Sequence, residues 1–323
     1  MLLSVCIPTF NRCGYLRLSV RYWLEQMAPF ADRVELIVAD NASTDDTIAV
    51  LESHRNVRAL RVIRRPANLG FNASTYDLVA NQAAGEYIWV CGDDDYLNPG
   101  GLAEIVSTIE THRHEEHFYV TTQFIPSDRA PDIAVEDPRE SPHVHRPQSD
   151  RSSRCVSRTS EILEFDGGGF SGFYSSIWKR PLAVEALSGE FCRRDPFTSL
   201  EATLPYAVFI ARHRMERPCH CIGRPTLTVA HTVSWPQYAS LFRLRMMPDL
   251  YDLLQKNGVP EASLKTYRLE LLDHWPLLFV DLIRRRRDLS VPDSFFIGYV
   301  LRRLLMPRFW KELFRALWCD LLP

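Results

Sequence analysis

Residues 85–101 read GEYIWVCGDDDYLNPGG, and the reading of this stretch decides the fold. Glu86 to Cys91 is a short run of β-branched, aromatic and apolar residues, the composition of a buried strand. The run stops at Gly92 and gives way to three consecutive carboxylates, Asp93, Asp94 and Asp95. Asn98-Pro99-Gly100-Gly101 then turns the chain into a helical pattern carried by Leu102, Ile105, Val106 and Ile109. Three acids at the end of a buried strand repel one another and lose hydration if enclosed. A hard divalent cation removes that cost and commonly bridges to phosphates. A lone acidic triplet is by default a solvated turn, but open α/β sheets bind ligands at the carboxyl ends of their strands. The triplet therefore reads as a metal–diphosphate site.

Upstream of it, the same unit repeats. Residues 2–8 form a strand ending at Pro8, followed by Thr9-Phe10-Asn11-Arg12 and a helical pattern through Leu16, Val20, Trp23 and Leu24. A second strand, Val34–Ala39, runs into Asp40, Asn41, Ser43, Thr44, Asp45 and Asp46; a third spans Val57–Ile63. Asn68-Leu69-Gly70 opens the next helix, through Tyr76, Leu78, Val79 and Ala83. Four strands alternating with helices predict an α/β fold with a Rossmann-like, mostly parallel sheet. Polar residues collect at the ends of strands one, two and four, where a nucleotide would lie. Neither GxGxxG nor GxxxxGK[ST] is present, which counts against dinucleotide oxidoreduction and P-loop phosphoryl transfer.

Downstream, Phe118–Ile125 is a further strand, and 126–158 reads as a long polar loop or insertion, rich in Pro, Ser, Arg, Asp and His. Its His143 and His145 have no partner at ligand spacing. Gly167–Gly169 is read as a hinge or close backbone approach rather than a phosphate nest. Glu201 heads an apolar helix, and Cys219–Ala230 reads as two short strands around Gly223-Arg224-Pro225. From Gln237 onward the pattern is helical, over Tyr238–Leu254, Glu261–Arg285 and Phe295–Leu322. The expected division is 1–235 for the α/β domain and 236–323 for a C-terminal helical extension.

The chain has 323 residues, 46% hydrophobic and 24% charged, with a net charge of −2, so nothing draws it toward nucleic acid. No stretch has the length of uncharged apolar residues that a membrane span needs, and residues 1–12 lack a basic leader. The expected location is the cytoplasm, or a membrane face reached from it. Eight cysteines without a CxxC pair fit reduced, mostly buried thiols; Cys219-x-Cys221 has no second pair to close a zinc tetrahedron. Between Arg284 and Arg315, nine Lys/Arg stand against Asp288, Asp293 and Glu312 among apolar residues that include Trp310 and Phe314. Such amphipathic basic helices suit an anionic membrane surface, the alternative being burial against the chain itself or a second copy in a homodimer.

Taken together, SVCIPTFNR, VADNASTDDT, NLGFNAS and GEYIWVCGDDDYLNPGGL resemble family 2 glycosyltransferases of the GT-A fold. The likeness is to the bacterial enzymes that build O-antigen or other surface polysaccharide, abequosyltransferase-like members among them. It covers about residues 1–110 well and 160–235 loosely. The resemblance implies that Pro8, Thr9, Asn11 and Arg12 line the base and ribose of a nucleotide sugar. Asp40 would accept from the base, with Asn41, Ser43 and Asp45 in the same loop and Asn68 and Gly70 further along. The family's acidic motif often has its first acid where this chain has Gly92; Asp94 then matches the metal ligand. Asp93 and Asp95 would hold ribose, donor sugar or metal-bound water, Asp95 and His231 being further candidate ligands for Mn²⁺ or Mg²⁺. Sugar transfer with inversion also needs a base; Glu201 matches its position best and Asp195 is second. The acceptor that the resemblance implies is a lipid-linked saccharide. Two other readings stay open: a nucleotidyltransferase, for which CIPTFNRCGYL lacks a glycine-rich basic loop, and a non-catalytic sugar-nucleotide-binding subunit.

Overall fold

The computed structural model describes residues 1–125, 137–140, 144, 152–164, 171–230 and 235–316. The chain divides into two compact units, Met1–Val233 and Ser234–Pro323. The first opens with β1 (Leu3–Thr9), α1 (Cys13–Met27), β2 (Val34–Asp40), α2 (Thr47–Glu52), β3 (Leu60–Arg64), α3 (Phe71–Asp77) and β4 (Tyr87–Val90). It continues with β5 (Asp95–Leu97), α4 (Gly101–Thr111), β6 (His117–Ile125), β7 (Arg154–Val156), β8 (Ser176–Lys179) and α5 (Arg180–Leu187). It ends with α6 (Leu200–Thr203), α7 (Pro205–His213) and β9 (Cys219–Ala230).

The strands form one sheet in the order β3-β2-β1-β4-β8-β6-β9-β5, with β7 also on β9. β1 to β4 pair in parallel, β8 runs antiparallel between β4 and β6, and β9 lies parallel to β6 with β5 antiparallel to it. Most strands thus share one direction, as the alternating pattern predicts. β1, β2 and β4 are buried along their whole length, which is why they read as continuous apolar runs rather than alternating ones. Their side chains pack against α1 and α4 through Leu16, Val20, Trp23, Leu102, Ile105 and Ile109. Trp23 meets Trp89 edge-on, ring centroids 5.2 Å apart, a contact worth about 1 kcal/mol beyond its buried area.

Two expectations in this unit change. β9 is one strand rather than two: it stays in the sheet through Gly223-Arg224-Pro225 and changes register, Val120 opposing Ile222 and Thr122 opposing Leu227. The extra residues are absorbed as a bulge, so both halves keep β6 as a neighbour. The polar segment 126–158 also contributes structure. Arg154–Val156 pairs antiparallel with Cys219–Cys221, a ladder too short to leave a periodic signal.

His117 illustrates how far burial acts on a titrating group. The ring is fully enclosed, stacked on Trp178 at 4.2 Å and within 3.2 Å of Ser176 Oγ. Burial, then the Arg214 charge, pushes it down to about 3 from 6.5. The unfolded chain therefore takes up a proton below pH 6.5 that the folded chain refuses. The contribution to stability is complete above that pH and shrinks on acidification, by at most about 1.4 kcal/mol per pH unit. His117→Phe should flatten the decline in melting temperature between pH 7 and pH 5; equal slopes in the two proteins would reject the assignment.

In the second unit, α8 (Ala239–Leu241) leads through a π-helical turn into α9 (Met247–Lys256), followed by α10 (Glu261–Glu270), α11 (Trp275–Arg285), α12 (Asp293–Leu301) and α13 (Pro307–Arg315). The expected long helices 261–285 and 295–322 are each broken. Pro276 and Pro307 lie in the first turns of α11 and α13, where a missing amide costs nothing, and His274 before the first break has φ 57°. Trp275 stacks on Phe309 at 4.0 Å and gives its Nε1–H to the Phe309 carbonyl at 3.0 Å, closing α11 on α13.

Candidate active site

The carboxyl ends of β1, β2 and β4 lie side by side, with Thr9 opposite Asp40 and Cys6 opposite Val90 in the ladders. This register brings three loops together. Asp40 is fully buried; its Oδ1 accepts from the Ser43 amide at 3.0 Å, while Oδ2 has no partner among the described residues. A buried carboxylate oxygen without a donor is costly, so this atom is a natural acceptor for a ligand. Asn41 stands beside it, donating to Asn68 Oδ1 at 2.7 Å and accepting from the Leu69 amide at 3.0 Å, which ties the second loop to the Asn68–Gly70 loop. Gly70 caps α3 with φ 78°, a conformation few other residues hold without strain.

The acidic turn is built around Arg12. Its Nε donates to Asp93 Oδ1 at 3.2 Å and a terminal nitrogen to Asp94 Oδ2, while the guanidinium lies 4.1 Å from the Tyr15 ring centre. Thr9 Oγ1 donates to the other Asp93 oxygen at 2.7 Å. Burial, and then the Asp94 charge, push Asp93 up to about 7 against the pull of Arg12 and Thr9. Burial and Asp94 likewise drive Asp95 well above the usual carboxylate range. Arg12 is raised: burial opposes its charge, but Asp94 and Asp93 outweigh it. Two carboxylates thus share one guanidinium with a third buried beside them, an electrostatic deficit that a cation relieves.

The residues fit such a cation in one particular way. Asp95, expected among the ligands, is 1% exposed and its Oδ2 accepts the Gly92 amide at 2.5 Å, so it shapes the turn instead of opening onto it. A side chain at Gly92 would come within 2.8 Å of Asp94 Oδ1, which accounts for glycine where the resemblance implies an acid. Among the described residues no three His, Cys, Asp or Glu side chains converge as a cage. The donor set therefore suits a hard ion held by Asp94 and completed by oxygens of a bound ligand, as is common beside phosphates. His231 lies outside the described residues.

The remaining expected residues divide by role. Pro8 is buried in β1 opposite Ala39. Asn11, at φ 53°, accepts the Thr44 amide through Oδ1 at 2.7 Å and gives its own amide to Ser43 Oγ at 2.9 Å. Asp45 accepts the Cys13 and Thr47 amides at 3.1 and 3.0 Å. Burial works against its charge, but the bonds from Thr47 and Cys13 prevail and lower its pKa. Ser43 and Asp45 are thereby engaged in holding the loop's shape.

Of the two carboxylates expected as base, Glu201 follows the N-cap Ser199 in α6 and accepts from Arg212 at 2.6 Å. Burial raises its pKa, but its own backbone amide and Arg212 more than compensate and hold it below the ordinary value. Asp195 is exposed, and its Oδ1 is 3.8 Å from where a side chain on Gly70 would begin. One residue escaped the sequence reading. Asn72, 6% exposed, extends its amide nitrogen toward the carbonyls of Phe191, Arg194 and Ala202. Its helix, FNASTYD, carries several polar residues, so no local pattern singles Asn72 out.

Comparison with known proteins agrees with this geometry. Residues 4–154 match the model for glycosyl transferase family 2. Over 115 residues the chain is 30% identical to the poly(ribitol-phosphate) beta-N-acetylglucosaminyltransferase TarS of Staphylococcus aureus, covering 36% of this chain and 20% of that protein. Over 113 residues it is 34% identical to the abequosyltransferase RfbV of Salmonella typhimurium, covering 34% of this chain and 33% of that one. The matches thus span a third or less of these relatives' own length. The crystal structure of S. aureus TarS 1–349 in complex with UDP-GlcNAc superposes with a TM-score of 0.58 at 16% identity, covering 97% of this chain and 84% of that one, a likeness of fold. Over residues 4–154, just under half of its length, the chain is thus similar to glycosyl transferase family 2.

Proposed function

We propose that this protein is a metal-dependent, inverting glycosyltransferase that moves a sugar from a nucleotide-sugar donor to a lipid-linked saccharide in surface-polysaccharide synthesis. The observation that carries the reading is the pairing of an acidic turn after β4 with the buried oxygen of Asp40, unpartnered among the described residues, at the same edge of the sheet. Asp40 accepts from the base of the nucleotide, and Pro8, Thr9, Asn41, Asn68 and Gly70 border it. Asp94 would hold Mn²⁺ or Mg²⁺, which when bound supplies positive charge at the departing diphosphate. Asp93 and Arg12 keep the turn in place and meet the donor's ribose or phosphates. Asp195 takes the proton of the attacking hydroxyl, a role supported by its exposure and its nearness to Gly70. Glu201 is the second candidate, weakened by its bond to Arg212.

The donor is tested by thermal shift with UDP-, GDP-, CMP- and dTDP-linked sugars, each with and without Mn²⁺. One donor class should raise the melting point, and more so with the ion, because a ligand that binds only the folded state stabilises it. No shift with any class would sink the reading. Donor consumption then separates an enzyme from a non-catalytic binding subunit, and release of pyrophosphate would point instead to nucleotidyl transfer.

Attachment to the cytoplasmic face of a membrane is part of the same reading. Among the described residues, nine of the fifteen exposed large hydrophobic side chains lie between Leu277 and Phe314, including Ile297, Leu301, Leu305 and Trp310. The basic residues from Arg284 to Arg315 flank them, and no described helix is long and apolar enough to cross a bilayer. The full chain should co-sediment with phosphatidylglycerol vesicles and be released by salt. A stable dimer in solution with no vesicle binding would assign the apolar face to a second copy.

A further inference from the structure

We propose that Asn72 is a positioning residue, a clamp that holds the segment carrying Asp195 and Glu201 against the loop that receives the donor. The inference rests on the glycosyltransferase reading above. Asn72 sits in the first turn of α3, two residues beyond Gly70. Its side-chain nitrogen is 2.9 Å from the Ala202 carbonyl, 3.0 Å from that of Arg194 and 3.4 Å from that of Phe191. Those carbonyls come from residues 119 to 130 positions away along the chain. A carboxamide has two N–H donors, so three carbonyls saturate it and fix its orientation.

The positions of the three carbonyls give the contact its meaning. Arg194 immediately precedes Asp195 and Ala202 immediately follows Glu201, so the clamp brackets both carboxylates. At the other end, Asn68 and Gly70 are tied to Asn41 by the Asn68 Oδ1 and Gly70 carbonyl contacts at 2.7 and 3.4 Å. One buried side chain therefore links the nucleotide loops to the segment that would deprotonate the acceptor. A buried asparagine that merely satisfied its own amide would not need carbonyls on both sides of the two acids. Displacing a catalytic group by about 1 Å costs on the order of 100-fold in rate, so a clamp at this place has a kinetic consequence.

The test uses the full chain and two variants. Asn72→Asp keeps the shape and removes both donors; Asn72→Ser keeps one hydroxyl donor and serves if the first fails to fold. In amide hydrogen exchange, residues 190–203 should lose protection in Asn72→Asp while β1 and β2 keep theirs. Unchanged protection in 190–203 overturns the clamp. In donor turnover, measured with the nucleotide sugar found by thermal shift, kcat should fall roughly 100-fold with KM for the donor within about twofold. Asn72→Ser should lie between the two. Unchanged kcat in a folded variant, or a rise in donor KM that accounts for the whole loss, overturns the positioning role. Failure of the underlying reading looks different: the wild-type chain itself would consume none of the donors, and the exchange measurement would still decide the clamp.

Discussion

Asp94→Ala should remove the Mn²⁺-dependent part of the donor's stabilisation and lower turnover roughly 100- to 1,000-fold, while the protein without ligand melts no lower than wild type. The two halves of this prediction have one cause. Asp94 is the least enclosed acid of the turn; Arg12 bonds its Oδ2, whereas Asp93 has both oxygens engaged by Thr9 and Arg12 and Asp95 is buried on the Gly92 amide. It is therefore the carboxylate able to share an ion with a diphosphate. It is also, after burial, the largest influence raising the pKa of Asp93 and Asp95, so its loss relieves repulsion in the ligand-free protein. A general unfolding defect would lower the melting point as well, and the ligand-free melt excludes it. A metal-dependent shift of wild-type size in Asp94→Ala would remove the site from this turn.

Asp195→Asn should bind donor as wild type does and lose about 100-fold or more in transfer, whereas Glu201→Gln should lose less than about tenfold. Position along the chain ranks the two acids the other way, since Glu201 heads the apolar helix. The structure supplies the reason to reverse the order. A general base must be unprotonated, within reach of the acceptor, and not already committed. Glu201 is committed to Arg212 at 2.6 Å, and its lowered pKa makes it a weak proton acceptor. Asp195 has no hydrogen bond or ion pair to its carboxylate among the described residues and borders Gly70. The opposite ranking of the two variants, with the same donor affinity in each, would return the role to Glu201.

Much of the fold could be read directly. β1, β2 and β4 announce themselves because both faces are buried, so apolar residues run without interruption and stop where the chain leaves the sheet. Pro276 and Pro307 mark the breaks in the C-terminal helical pattern, since proline is tolerated in a helix's first turn and not in its interior. β7 and the continuous course of β9 were not legible. A three-residue ladder and a bulge across Gly223-Arg224-Pro225 depend on partners supplied from elsewhere in the chain.

The sequence by itself determined the parallel half of the sheet, the acidic turn at its edge and the likeness to the family, because each is written in contiguous residues whose periodicity and order are local properties. Tertiary structure alone decided that Arg12 reaches Asp93 and Asp94, that Asp95 turns inward to Gly92, and that Asn72 reaches the carbonyls of Arg194 and Ala202 on either side of Asp195 and Glu201. Except for the Asp95 turn, these contacts join residues some 80 to 130 positions apart. Their geometry follows from how the sheet stacks its loops, which no local pattern encodes.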